Sequence, residues 1–163
     1  MACVKRVGEV LDVKIDLTDE GAGCPERQVQ AGRVEFKDVS FSYHGSMESL
    51  VLEHLDFTAE PGQTIGIIGA TGSGKTSMVQ LIPRLYDVTA GQILVDGVDV
   101  RDYPLKALRN GVGMVLQKNV LFSGTIEENL RWGDEEASLE EIRQVADSAQ
   151  ADGFIMDFSE KYD

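Results

Sequence analysis

The residues with the clearest capacity for chemistry form one run, Gly69-Ala70-Thr71-Gly72-Ser73-Gly74-Lys75-Thr76. A glycine, four further residues and then Gly-Lys-Thr make the pattern of a phosphate-binding loop, in which glycines let the backbone curl so that successive N–H groups face phosphate oxygens. Lys75 would reach the terminal phosphates, and Thr76 would offer its hydroxyl to Mg²⁺. Ser77, where a helix opens, completes the candidate contacts, and the start of that helix adds a partial positive charge. A glycine-rich turn without function is the plainer reading. The order of apolar strand, loop and helix argues against it. A dinucleotide loop of the Gly-x-Gly-x-x-Gly type fits worse, having no use for Lys75-Thr76.

Two further residues could narrow "nucleotide" to something more definite. Tyr43 ends a strand, where an aromatic ring can stack on a base for about 1–3 kcal/mol; an ordinary strand tyrosine with its hydroxyl in water is the competing reading. Gln117 follows an apolar strand, the end at which α/β sheets place ligand contacts. Its amide oxygen could join a Mg²⁺ shell, or it could simply bond loop backbone. Asp96 closes the apolar run Ile93-Leu94-Val95 and so mimics a magnesium-holding aspartate, but Gly97 follows it and a hairpin bend is the stronger reading. His44 and His54 have no ligand partners near them in sequence and read as loop and surface residues.

The elements that must position these residues can be traced in order. Residues 1–32 read as a short amphipathic helix with Val4, Val7 and Leu11 on one face, then a loose linker through Asp16, Asp19, Glu20, Gly21-Ala22-Gly23 and Pro25. Such a helix could cap this domain or belong to a preceding one. Alternation of Val34 and Phe36, then Val39, Phe41 and Tyr43, predicts a strand with a bulge near Lys37-Asp38. A second strand carries Leu55, Phe57 and Ala59, and Pro61-Gly62 fits a type II turn. Thr64–Ile68 is the near-continuous apolar run expected of a strand buried on both faces of a parallel sheet. Met78, Leu81, Ile82 and Leu85 form a helical stripe that Pro83 must kink or end. Thr89-Ala90-Gly91 leads to a hairpin bent at Asp96-Gly97. Asp102 is placed to cap a short helix bearing Leu105 and Leu108, and Val112–Leu116 reads as another strand. Beyond the loop Leu121–Thr125, residues Ile126–Leu130 read as a helical turn or two. Ser138-Leu139-Glu140-Glu141 is a capping box for a helix with Ile142, Val145, Ala146 and Ala149 on its apolar face.

Composition sets the outer bounds. The 163 residues, 42% of them hydrophobic, suit one domain with a core. A net charge of -13 disfavours nucleic acid and anionic membrane as partners. No apolar run approaches the roughly 20 residues that cross a bilayer. Cys3 and Cys24 lack metal-site spacing and read as free thiols.

Taken together, Phe41-Ser42-Tyr43, Gly69–Thr76, Leu81-Ile82-Pro83-Arg84-Leu85-Tyr86-Asp87, Val115-Leu116-Gln117 and Leu121-Phe122-Ser123-Gly124-Thr125-Ile126-Glu127-Glu128-Asn129 resemble the ATP-binding domain of ABC exporters. The resemblance covers residues 33–163. It implies an α/β fold: a P-loop NTPase core, here incomplete, with an antiparallel β-subdomain and the start of a helical subdomain. It also implies ATP and Mg²⁺ as cofactors, Tyr43 stacking on adenine, and Gln117 touching Mg²⁺. The partners implied are a second ATP-binding domain, identical or not, and a transmembrane domain, with residues 1–32 as the tail that follows it. The location implied is the cytoplasmic side of a membrane, in a multidrug- or lipid-type half-transporter.

The same resemblance defines what to expect of the chain alone. In such exporters Leu-Ser-Gly-Gly-Gln, the magnesium-binding Asp strand, the catalytic Glu and the switch His follow the stretch matched by Tyr162-Asp163. A chain truncated there is expected to bind ATP with little or no turnover, since general-base help is worth about 10²–10⁴-fold. Thr64–Ile68 is expected to keep an open apolar edge, with weak stability and a tendency to associate. A stand-alone, non-hydrolytic nucleotide-binding module is the alternative; a P-loop kinase would need an acceptor site and lid arginines that have no candidates here.

Overall fold

The computed structural model describes residues 6–8, 11–12, 17–19, 23 and 26–163. The chain divides into two compact units, Met1–Met114 and Val115–Asp163.

The first unit is built on a four-stranded antiparallel sheet of order β2-β1-β3-β4, with β1 Val34–Phe41, β2 Leu52–Ala59, β3 Ala90–Val95 and β4 Val98–Asp99. The expected bulge is present. The β1–β2 register shifts between Phe36 and Val39, and Asp38 takes a positive φ of 49°. Gly91 of β3, at φ 80°, faces this kink so closely that a Cβ would lie 2.2 Å from the Asp38 carbonyl oxygen, which only glycine allows. At the β3–β4 bend Asp96 and Gly97 both have positive φ, 50° and 79°, as a two-residue type I′ turn requires. Gly62, at φ 74°, and the bond from the Gln63 N–H to the Glu60 carbonyl fit the type II turn expected at Pro61-Gly62.

One face of this sheet makes the core. Phe36, Val39, Phe41, Ile93 and Val95 pack with Met78 and Leu81 of helix α1, Lys75–Leu81, and with Val100, Tyr103 and Leu108. Tyr103 is fully buried, which it can afford because its hydroxyl donates to the Val95 carbonyl at 2.9 Å. Phe36 and Phe57 stack across β1 and β2 with centroids 4.4 Å apart. As Pro83 requires, α1 ends at Leu81.

Three readings of this unit are corrected. Thr64–Ile68 and, at the boundary of the two units, Val112–Leu116 are not strands: neither pairs with any described strand, and Ile68 is 98% exposed. A strand of a parallel sheet exists only beside partners, and the described strands pair antiparallel among themselves. The apolar edge at Ile65, Ile67 and Ile68 is exposed as expected, without the strand. Asp102 does not cap helix α2, Leu105–Asn110; it closes a 3₁₀ turn, Val100–Asp102, and the Leu105 N–H bonds instead to the Asp19 carboxylate at 2.7 Å. Arg6-Val7-Gly8 and Leu11 are helical, with Val7 and Leu11 exposed. Cys3, Val4, Asp16, Glu20, Gly21-Ala22, Cys24 and Pro25 lie outside the described residues.

The second unit holds three helices, α3 Ile126–Leu130, α4 Leu139–Ser148 and α5 Asp152–Met156. Ser138 and Glu141 form the expected capping box, and Thr125 with Glu128 forms a second one at α3. The small core gathers Ile142, Ala146, Ile155 and Tyr162. Val145, read as part of that apolar face, is 67% exposed. Arg131 ties the unit together by pairing with Glu127 and donating to the Ala137 carbonyl.

Candidate functional site

The phosphate-loop residues stand at the entrance to α1. Gly72 and Gly74 both take positive φ, 83° and 82°, so the chain turns back on itself twice before the helix starts. Gly74 is the N-cap of α1 and has no side-chain cap, and no acidic residue lies in the first turn. The helix therefore opens with N–H donors that no carboxylate of its own engages. Gly74 must also be glycine for space, since a Cβ would come within 2.8 Å of Leu52 Cδ2 and 3.0 Å of the Val51 carbonyl oxygen. The loop is thus seated on the start of β2.

Lys75 closes over the loop that precedes it. Its Nζ donates to the carbonyl oxygens of Gly69 and Ala70, both at 2.7 Å, and lies 3.4 Å from Ser73 Oγ. The Ser73 N–H bonds back to the Ala70 carbonyl, tightening the curl. Thr76 is exposed at the helix start, and Ser77 is buried, 6% exposed. A flexible ammonium, two hydroxyls and uncapped N–H groups make a donor set that suits a polyphosphate, and the Thr76 hydroxyl is the kind of oxygen a hard cation takes.

Tyr43 lies just past β1, in a loop closed by the bond from the Val51 N–H to the Phe41 carbonyl at 2.7 Å. Its ring meets Phe41 and Tyr86 edge to face, at centroid distances of 4.9 and 5.1 Å, and keeps 49% of its surface exposed. The hydroxyl is not left to water: it sits 2.7 Å from Ser77 Oγ. Tyr43 and the run Gly69–Ser77 therefore come together in the first unit. Gln117 belongs to the second unit and is exposed.

The decoy at Asp96 has a structural use. Its carboxylate accepts from the backbone N–H groups of Gln30 at 2.7 Å, Ala31 at 3.0 Å and Arg33 at 2.9 Å, fastening the segment before β1 to the β3–β4 turn. Partial burial pushes this carboxyl up, but the N–H groups of Gln30, Arg33, Ala31 and Gly32 outweigh it and hold it below the ordinary value. His54 is a surface residue whose Nδ1 lies 2.6 Å from Asp38 Oδ1; the hydrogen bond and charge of that carboxylate raise its pKa. Among the described residues no group of His, Cys, Asp and Glu could by itself hold a metal ion. No described helix is long and apolar enough to cross a membrane. The contacts that sequence reading missed are the Tyr43–Ser77 bond and the seat of Gly74 on Val51-Leu52, which join residues far apart in sequence and leave no local signal.

Comparison with known proteins bears on this arrangement. Residues 52–161 match the family profile described as ABC transporter. The chain is 45% identical over its full length to the ATP-binding/permease protein YgaD of Bacillus subtilis (strain 168), named for multidrug export, and covers 28% of that protein. It is 46% identical over 158 residues to YfiB of the same organism, named as an uncharacterized ABC transporter ATP-binding protein, covering 97% of this chain and 27% of that one. A solved bacterial Atm1-family ABC exporter with ATP bound matches with a TM-score of 0.88 at 31% identity, over 98% of this chain and 27% of the other. The chain spans little more than a quarter of the length of these curated relatives.

Proposed function

The chain belongs to the ABC transporter family, and from that premise we propose that it is the ATP-binding portion of an exporter, with residues 1–32 as a linker or tail and residues 33–163 as the N-terminal part of the nucleotide-binding domain. The observation that carries the reading is the loop Gly69–Thr76 at an uncapped helix start with the Lys75 ammonium poised over it, in the same unit as the Tyr43 ring. In this reading the backbone N–H groups of the loop and Lys75 hold the phosphates, Ser77 adds a hydroxyl, and Tyr43 stacks on adenine. Thr76 would offer its hydroxyl to Mg²⁺, which when bound would offset phosphate charge. None of the chain's residues is assigned as the base that activates water. The chain would bind Mg-ATP through these residues, and in the whole protein it would pair with a second ATP-binding domain. The whole protein would couple ATP to export from the cytoplasmic side of a membrane, joined to a transmembrane domain.

The test is thermal melting of the chain with and without Mg-ATP. A ligand present at about 100 times its Kd adds about 2.7 kcal/mol of stability to the folded state. Mg-ATP should raise the Tm of the wild type, and Lys75→Ala should show little of that rise relative to its own ligand-free melt. A wild-type melt indifferent to Mg-ATP refutes the reading.

A further inference from the structure

The short contact between Tyr43 and Ser77 links the two ends of the nucleotide site. Tyr43 sits in the loop between β1 and β2, and Ser77 in the first turn of α1, immediately after Lys75-Thr76. Their oxygens are 2.7 Å apart, and Ser77 is 6% exposed, so its hydroxyl has little water to turn to. The same two elements meet a second time on the main chain, where Gly74 lies against the Val51 carbonyl and Leu52. Two separate contacts therefore fix the loop bearing the aromatic ring to the loop bearing the phosphate contacts.

We infer that Ser77 is a positioning residue that acts through the Tyr43 hydroxyl, setting the distance between the base-stacking ring and the phosphate loop so that the site selects a nucleoside triphosphate over a bare polyphosphate chain. This rests on the nucleotide reading above and adds to it. Phenylalanine at position 43 would still pack against Phe41 and Tyr86 and could stack on a base, but it would lose the bond that ties the ring to the phosphate loop, and the base would meet a less preformed platform. The phosphates would not sense the change, because Lys75 and the loop N–H groups stay in place.

The test is calorimetric titration of the full chain with Mg-ATP and, separately, with inorganic tripolyphosphate and Mg²⁺, using wild type, Tyr43→Phe, Ser77→Ala and the double variant. Tyr43→Phe should weaken ATP binding about three- to tenfold, the range one lost hydrogen bond allows. Its tripolyphosphate affinity should stay within about twofold of wild type. For ATP the double variant should be no weaker than Ser77→Ala alone, because both substitutions remove the same link. The inference is overturned if Tyr43→Phe binds ATP as tightly as wild type, if it weakens both ligands equally, or if the two single losses multiply in the double variant. A wild type that binds neither ligand overturns the nucleotide reading itself, and a wild type that binds both with an indifferent Tyr43→Phe overturns only the positioning role.

Discussion

Replacing Asp96 by asparagine tests how the segment before β1 is held. Asparagine tolerates the positive φ of this turn position, so the hairpin should survive. What changes is the acceptor. The wild-type carboxylate receives N–H groups from Gln30 and Ala31 on one oxygen and from Arg33 on the other. An amide turned to keep the Gln30 and Ala31 bonds would point its NH₂ at the Arg33 N–H, so one bond to a charged oxygen is lost and the other two become bonds to a neutral one. The lost bond is worth about 1.5–3 kcal/mol and the loss of charge on the other two about 1–1.5 kcal/mol each, and roughly halving that for a partly exposed site leaves about 2–3 kcal/mol. For a chain of this size that corresponds to about 4–12 °C in Tm. The pH dependence separates this cause from a general loss of packing. Because the folded-state value of Asp96 is depressed, its contribution is present above the unfolded carboxylate value, about 3.9, and is lost as pH falls through the folded value. Melts of wild type and Asp96→Asn should differ most near neutral pH and converge in acid. A gap under about 0.5 kcal/mol at pH 7, or one that persists unchanged in acid, refutes the reasoning.

Gly91→Ala should destabilise the first unit by about 2–4 kcal/mol in a denaturant titration, combining left-handed strain with a backbone collision. Gly97→Ala, at a similar φ but in open space, should cost only about 1–2 kcal/mol, so near-equal losses would contradict the close approach of β3 to the bulge. The His54 ring should titrate above 6.5 by NMR, and Asp38→Asn should bring it back. Any stability from that pair is present below the ordinary histidine value and lost as pH rises through the raised one; an unshifted His54 would mean the pair does not persist in solution.

The parts of this molecule that were readable in sequence are those whose geometry is decided within a few residues. Asp96-Gly97, Pro61-Gly62, the Lys37-Asp38 bulge and Ser138–Glu141 each carry their cause locally, as a required φ or a reciprocal hydrogen bond. The second capping box was equally available, since Thr125 and Glu128 have the same spacing. What could not be read depends on distant partners. The Leu105 N–H chooses the Asp19 carboxylate over the nearer Asp102, and Asp96 spends its charge on backbone more than sixty residues earlier. Thr64–Ile68 has the composition of a buried strand, but composition cannot supply the neighbours a parallel sheet requires. The Gly69–Thr76 pattern could be read because its residues are contiguous, and it stands at the start of α1. The Tyr43–Ser77 bond could not, because hydroxyls in two elements meet only after folding.

The lysine that closes over its own loop is also a latch. Lys75 already has two short bonds to the carbonyls of Gly69 and Ala70, so an arriving anion exchanges contacts instead of adding them. On the proposed reading, a single phosphate would offer few oxygens for that exchange, whereas a triphosphate would draw the ammonium away and still engage the N–H groups at the helix start. The curl is in this sense closed by its own cation, which draws Gly69 and Ala70 toward the helix start.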